Sequence, residues 1–194
     1  MDHPNYDGLA WFVDEVLPLI ERTLRWETRL TVAGYTAPGV SLDRFKGHPR
    51  VTLRGSVPDL VPLYDANRVF IAPTRFAAGI PYKVHEAAAH GIPVVATSLV
   101  ARQLGWRDGD AIGAADVTDP AGFAARVIAL HRDATLWNRI RTAALGRVEM
   151  ELDPSRFTSI VAGLVSPKSG ATRPHPLIEL GVNQFGELDE PIPE

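Results

Sequence analysis

The 194 residues carry a formal net charge of −3, 45% hydrophobic and 22% charged side chains, and no cysteine. That suits one globular domain able to bury a core, with room for a tail, and it excludes disulfides, thiolate metal sites and cysteine nucleophiles. A mildly acidic chain has no general attraction for nucleic acid or anionic lipid, so any bound anion needs a local site.

Taken in chain order, Met1-Asp2-His3-Pro4-Asn5 has neither the charged nor the apolar region of a secretory signal. No later apolar run reaches the roughly 18 residues of a membrane span, and the cytoplasm is the expected location. Residues 7–26 read as a helix, with Leu9, Phe12, Val13, Val16, Leu17, Ile20 and Leu24 at three- and four-residue steps and Pro18 as an expected kink. Short strands are expected at 29–33 and 51–53, then a helix at 59–66. Val69-Phe70-Ile71-Ala72 is continuously apolar and reads as a strand buried on both faces. A helix from about Pro81 to His90 ends at Gly91, and Pro93-Val94-Val95-Ala96 gives the next strand. Residues 111–117 hold a last short strand, and 123–130, 136–150 and 156–164 read as closing helices. Strands alternating with helices predict an α/β domain with an open parallel sheet over residues 1–165. From Ser166 to Glu194 five prolines punctuate a polar stretch without periodicity, read as a tail or linker.

The chemistry concentrates between Phe70 and Ala87. In an open parallel sheet ligands sit beyond the carboxyl ends of the strands, and the loop after Ala72 leaves such an end. Gly79 allows close approach to the backbone, and Pro81 suits the first turn of a helix, where a missing amide hydrogen costs nothing. Amides around Gly79 to Lys83 would then face outward at the positive end of the helix dipole, a site suited to phosphate. Lys83 in that first turn opposes the dipole by roughly 0.3–1 kcal/mol, a cost that a bound diphosphate reverses. Glu86 shares its face and could accept hydrogen bonds from ribose hydroxyls. Spacing alone fits a solvated Lys83–Glu86 pair on a surface helix equally well.

The run Gly79-Ile80-Pro81-Tyr82-Lys83-Val84-His85-Glu86-Ala87-Ala88-Ala89-His90-Gly91-Ile92-Pro93-Val94-Val95-Ala96-Thr97 resembles the signature of the group 1 (family 4) glycosyltransferases. His3-Pro4-Asn5-Tyr6-Asp7-Gly8 with Trp11-Phe12 and Glu15-Val16-Leu17-Pro18, and Gly55-Ser56-Val57-Pro58-Asp59-Leu60, resemble other parts of that family's C-terminal domain. The resemblance implies one Rossmann-like half of a GT-B fold, binding a UDP- or GDP-type sugar donor and retaining anomeric configuration without a metal or other cofactor. It implies that Glu86 binds the donor ribose and that Lys83 stabilises charge on the departing diphosphate. It further places Gly79 and Ile80 in the donor-facing loop, Val57 beside the base, and Thr74 and Arg75 at the strand's end.

Two departures accompany it. A second acid common in the family, eight residues before Glu86, is replaced by Ala78. The family's first, central strand and its acceptor-binding domain have no counterpart here, so a truncated copy is expected, inactive by itself, whose 29–33 strand needs another neighbour in this chain or a partner. The parent activity would belong to polysaccharide biosynthesis. A non-catalytic nucleotide- or protein-binding remnant and a sugar-nucleotide epimerase stay open as alternatives, as does a homo-oligomer.

Other constellations carry less. His85 and His90 fall five residues apart, about 140° around a helix, and cannot share a metal. The chain has no G-x-S-x-G elbow, Walker loop or G-x-G-x-x-G. Trp106-Arg107-Asp108-Gly109-Asp110 reads as a turn rather than a calcium loop. Trp11, Phe12 and Trp26 read as core, and Arg126, Arg132, Arg139, Arg141 and Arg147 as solvated helix faces.

Overall fold

The computed structural model describes residues 3–76, 79 and 81–165. Within that range the chain alternates strand and helix, as the sequence predicts. The expected tail at 166–194 lies outside the described residues.

The first helical stretch is less uniform than its periodicity. Helix α1 (Pro4–Trp11) begins three residues earlier than expected, with proline at its amino end. It passes through a wide π-turn at Phe12–Val16 into α2 (Leu17–Leu24). The Leu17 amide reaches back five residues to the Phe12 carbonyl. That extra residue in the turn is how the helix absorbs Pro18, which would clash in a regular α-turn. Strand β1 (Leu30–Ala33) follows and pairs in parallel with β2 (Val51–Gly55), with an irregularity between Val32 and Ala33. Helix α3 (Val61–Ala66) leads to β3 (Phe70–Ala72), α4 (Tyr82–Ala89), β4 (Val94–Thr97), α5 (Ser98–Leu104) and β5 (Gly113–Ala115). Helices α6 (Pro120–Arg132), α7 (Ala134–Glu151) and α8 (Pro154–Val165) close the described chain.

The parallel strands form two sheets. One holds β1 and β2; the other has the order β3-β4-β5. Strand β4 lies between two neighbours and all four of its residues are buried. Its pleat divides two cores: Val94 and Ala96 pack with Val84, Ala87 and Ala88 of α4 and Ala144 and Val148 of α7. Val95 points the other way, into a cluster with Trp11, Phe12, Leu17, Ile20 and Phe123. Period-two alternation thus gives this strand helices on both faces. The Phe123 ring meets Trp11 and Phe12 edge-on, at centroid distances of 5.5 and 5.8 Å.

Strand β3 departs from its expectation. Only Ala72 is buried, while Phe70 and Ile71 are half-buried. Among the described residues β3 pairs with β4 alone, and its second edge has no neighbouring strand there. An apolar run reports hydrophobicity, and burial on both faces needs partners that the run itself does not specify.

The helix ends follow side-chain chemistry. Asp119 caps α6 by accepting from the Gly122 amide at 2.8 Å, and Asp133 caps α7 through Thr135 and Leu136, each at 2.9 Å. Helix α4 ends as predicted: Gly91 turns left-handed at φ 74°, and the Ile92 amide bonds the Ala87 carbonyl at 3.2 Å. Of the five arginines read as solvated faces, Arg132, Arg139 and Arg141 are exposed and Arg126 and Arg147 half-buried, and each also has a partner. Arg126 grips Asp108 with two nitrogens, at 2.9 and 2.6 Å, and Arg147 pairs with Asp110 at 3.3 Å. Arg132, Arg139 and Arg141 donate to the carbonyls of Thr23, Gly109 and Gly91. Trp11 and Phe12 are core, as expected; the Trp26 side chain lies outside what is described. Among the described residues no helix is long and apolar enough to cross a membrane.

Candidate functional site

A cavity of about 860 Å3, lined along its length by apolar residues such as Leu30, Val32, Val69 and Ile71, reaches the carboxyl ends of the strands, where His3, Asn5, Gly8, Thr74, Lys83 and Glu86 line it. Three elements meet there, namely the start of α1, the end of β3 and the first turns of α4.

Helix α4 is aimed by its apolar face. Val84, Ala87 and Ala88 have no exposed surface, and turning them to the sheet leaves Lys83 and Glu86 on the side of the cavity. Pro81 caps this helix rather than occupying its first turn, and its carbonyl accepts from the Val84 amide at 2.9 Å. The opposite flank is tied to the end of α7. Glu151 meets His85 Nε2 at 3.0 Å and accepts from Trp106 Nε1 at 2.9 Å.

Lys83 is half-buried, and its Nζ donates to Asn5 Oδ1 at 2.7 Å. That acceptor is neutral, and among the described residues no carboxylate pairs with Lys83. Burial pushes the ammonium's pKa below the ordinary lysine value. A half-buried cation bonded to a neutral amide is held in a position where an incoming anion would be favoured.

Glu86 takes a hydrogen bond from the Tyr64 hydroxyl, and burial together with this carboxylate pushes the Tyr64 pKa up to about 12. The Tyr64 ring is fixed from the other side by stacking on His90, at a centroid distance of 4.9 Å. Tyr64 thereby orients Glu86.

Thr74 is buried at the cavity wall. Its carbonyl accepts from the buried Thr97 hydroxyl at 2.6 Å, tying the loop after β3 to the end of β4. Gly8 packs against this loop so closely that a methyl group there would run into the Pro73 carbonyl oxygen, with the carbonyl carbon at 3.0 Å. Glycine in α1 is what lets the helix start reach the strand tips.

The other expected residues are placed less directly. Gly79 is exposed with φ 105°, a conformation that favours glycine, but it does not line the cavity. Arg75 is exposed, with Nη1 3.5 Å from Asp7 Oδ1. Val57 does not line the cavity, although Gly55 of the same turn does. Ile80, like Ala78, lies outside the described residues. Asn5, Gly8 and Tyr64 were given no site role from sequence. The first two lie in the His3–Gly8 segment already marked by resemblance; Tyr64 carries no local signal at all. Among the described residues no group of three or more histidine, aspartate or glutamate side chains could hold a metal ion.

Parallel strands between helical layers, with a polar mouth at their carboxyl ends, define the Rossmann-like domain of GT-B glycosyltransferases. Comparison with known proteins gives the family. The profile of the family described as "Glycosyl transferases group 1" matches residues 1–133, and the chain belongs to it. An uncharacterized 44.6 kDa protein in the cps region of Klebsiella pneumoniae is 26% identical over 164 residues, covering 80% of this chain and 42% of that protein. The crystal structure of Anabaena Alr3699/HepE in complex with UDP and glucose is similar, with TM-score 0.65, 16% identity and coverage of 80% of this chain and 45% of that one. The C-terminal domain of the group 1 glycosyltransferase family protein LpcC from Francisella tularensis has TM-score 0.63 at 17% identity, covering 79% of this chain and 83% of that domain. The chain thus spans less than half the length of the Klebsiella and Anabaena proteins.

Proposed function

We propose that this domain is the donor-binding half of a retaining glycosyltransferase, taking a sugar attached to uridine or guanosine diphosphate. One observation carries the reading: a half-buried ammonium without a counter-charge among the described residues, and a carboxylate fixed by Tyr64, lie on one face of α4 and line the same cavity at the strand tips. Lys83 and the amides at the amino end of α4, with the Gly79–Ile80 loop, hold the diphosphate. Glu86 accepts from the ribose hydroxyls. When the bond between the sugar's anomeric carbon and the phosphate oxygen breaks, negative charge grows on the diphosphate and Lys83 stabilises it there. The acceptor oxygen, held on a second domain, bonds the same face of that carbon and passes its proton to the departing diphosphate oxygen. Thr74 forms the wall of the donor site, and Arg75 and Val57 lie at its periphery. The fit to the LpcC C-terminal domain and the UDP bound to the Anabaena relative support this assignment. The cps-region relative supports a place in polysaccharide biosynthesis, and a cytoplasmic setting follows from the nucleotide donor.

Calorimetric titration of the chain with UDP and GDP tests the reading. One nucleotide binds, and Lys83→Ala and Glu86→Ala each weaken it at least ~10-fold, about 1.4 kcal/mol. A folded chain that binds neither nucleotide, or variants that bind as the parent does, would overturn it.

A further inference from the structure

The hydrogen bond between Asn5 and Lys83 joins the first turns of α1 and α4, two helices whose contacting residues stand 78 positions apart in the chain. The place of Asn5 is set by packing below it. Asn5 and Gly8 are three residues apart and share one face of α1, and Gly8 lies against the Pro73 carbonyl at the end of β3. Trp11 and Phe12, both buried, hold the following turn. The close approach at Gly8 thus carries Asn5 to the mouth of the cavity, which it lines together with Lys83. Asn5 itself is exposed, so a change of its side chain leaves the core alone.

A lysine in the first turn of a helix works against the helix dipole, and its long stem ordinarily carries the ammonium out to water. Lys83 is instead half-buried, with Nζ 2.7 Å from Asn5 Oδ1. An ammonium only donates, so the acceptor is the carboxamide oxygen, and the two amide hydrogens stay on the other arm of the group. Such an anchor holds the cation and carries no charge to cancel it. The other titratable groups at the mouth are His3 on α1, Tyr64 on α3 and Glu86 on α4. Glu86 accepts from Tyr64, and Asp7 of α1 faces Arg75. The substitution Asn5→Asp keeps the shape and reverses the chemistry. It pairs with Lys83, replaces two N–H donors by a second acceptor oxygen and repels a phosphate.

We propose that Asn5 is a positioning residue for the donor: its neutral carboxamide holds the Lys83 ammonium at the mouth, without cancelling its charge, for the diphosphate to meet. The inference rests on the donor-binding reading of this cavity. It gives a role to the neutrality of the side chain, which helix packing does not require. An acid in the first turn of α1 suits the helix dipole, so Asn5→Asp favours the fold while it opposes the ligand.

That opposition of signs is the test, made on the 194-residue chain with Asn5→Asp and Asn5→Ala. Asn5→Asp melts no lower than the parent. In calorimetric titration with whichever of UDP and GDP the parent binds, Asn5→Asp weakens binding at least ~10-fold and Asn5→Ala about 2- to 5-fold. In a Lys83→Ala background Asn5→Ala changes affinity by less than about 2-fold, because its effect runs through the lysine. The chain has three lysines, so carbon NMR of lysine-labelled protein follows the Lys83 side chain directly, with Lys83→Ala assigning its signal. Without nucleotide, burial holds the Lys83 titration below the ordinary lysine value in the parent, and Asn5→Asp moves it up by about one pH unit or more. A lysine titration unmoved by Asn5→Asp refutes the anchor. Nucleotide affinity equal to the parent's in Asn5→Asp, where Lys83→Ala weakens binding, refutes the positioning role. A folded parent that binds neither nucleotide rejects the donor-binding reading and this role with it, and the lysine titration then still decides whether Asn5 holds Lys83.

Discussion

Replacing Gly8 by alanine sets two effects of opposite sign against each other. Within a helix, glycine is less favourable than alanine by ~0.8–1.0 kcal/mol, so propensity alone predicts stabilisation. In α1, however, the new methyl meets the Pro73 carbonyl, with its carbon at 3.0 Å and Thr74 Cα at 3.5 Å. These are backbone atoms, and the Thr97 hydrogen bond to the Thr74 carbonyl keeps the loop from yielding. Overpacking of this kind costs about 1–3 kcal/mol, and rigid backbone contacts place Gly8→Ala near the upper end. After the propensity gain, a net loss of about 1–2 kcal/mol remains, which for a chain of this size lowers Tm by roughly 2–8 °C. Gly146 supplies the matched control. It lies in α7 and a methyl there meets nothing within 4 Å, so Gly146→Ala raises stability by the ~0.8–1.0 kcal/mol of propensity. Both variants are compared by calorimetry or circular dichroism melts at one pH. If Gly8→Ala stabilises as Gly146→Ala does, α1 does not sit on the loop after β3, and the mouth described above is wrongly assembled.

Tyr64→Phe removes the hydroxyl that holds Glu86, and nucleotide affinity falls by roughly 3- to 10-fold, at about 1 kcal/mol for one hydrogen bond. In the parent, ultraviolet titration shows a tyrosine ionising near pH 12 that Tyr64→Phe removes; a parent titration unchanged by Tyr64→Phe near that pH excludes the Tyr64–Glu86 bond. The raised Tyr64 pKa also fixes a sign. Its stabilising contribution is complete below the unfolded tyrosine value near 10 and is lost as pH rises toward 12, and a Tyr64→Phe chain lacks that decline. Asp108 runs the opposite way. The hydrogen bond from Arg126 holds its carboxyl below the ordinary value of 3.8, so the stabilisation is present above that value and is lost as pH falls through the folded titration. Asp108→Ala costs about 1 kcal/mol at neutral pH because the pair is partly exposed, and its deficit in urea midpoint shrinks below pH 4; a constant deficit contradicts the ion-pair account. Phe123→Ala empties the contact with Trp11 and Phe12 and costs about 3–5 kcal/mol. A loss below about 1 kcal/mol would mean that this core is not the one described.

What the sequence announced and what it hid divide along physical lines. Helix α4 and strand β4 were legible because periodicity, Gly91 and the apolar run Val94–Ala96 are all local signals. Lys83 and Glu86 were legible as a face, since three residues along a helix fixes their relation whatever the fold. The partners of those side chains were not. Asn5 reaches Lys83 and Tyr64 reaches Glu86 only after distant segments have packed, and no spacing encodes that meeting. Helix α5 went unpredicted because seven residues give too little periodicity. Its signals were Thr97, whose hydroxyl accepts from the Val100 amide, and left-handed Gly105. The π-turn before Pro18 was hidden for a related reason, since its apolar positions satisfy either a kink or a widened turn.

Ala87 and Ala88, both without exposed surface, are the smallest side chains on the face of α4 that rests on the sheet. They act as a shim, setting the tilt of the helix and therefore the aim of an ammonium and a carboxylate one step around its circumference. A valine at either position would lift the axis and swing both polar groups together. Ala87→Val and Ala88→Val would therefore disturb the positions of Lys83 and Glu86 from the side of the helix turned away from the mouth.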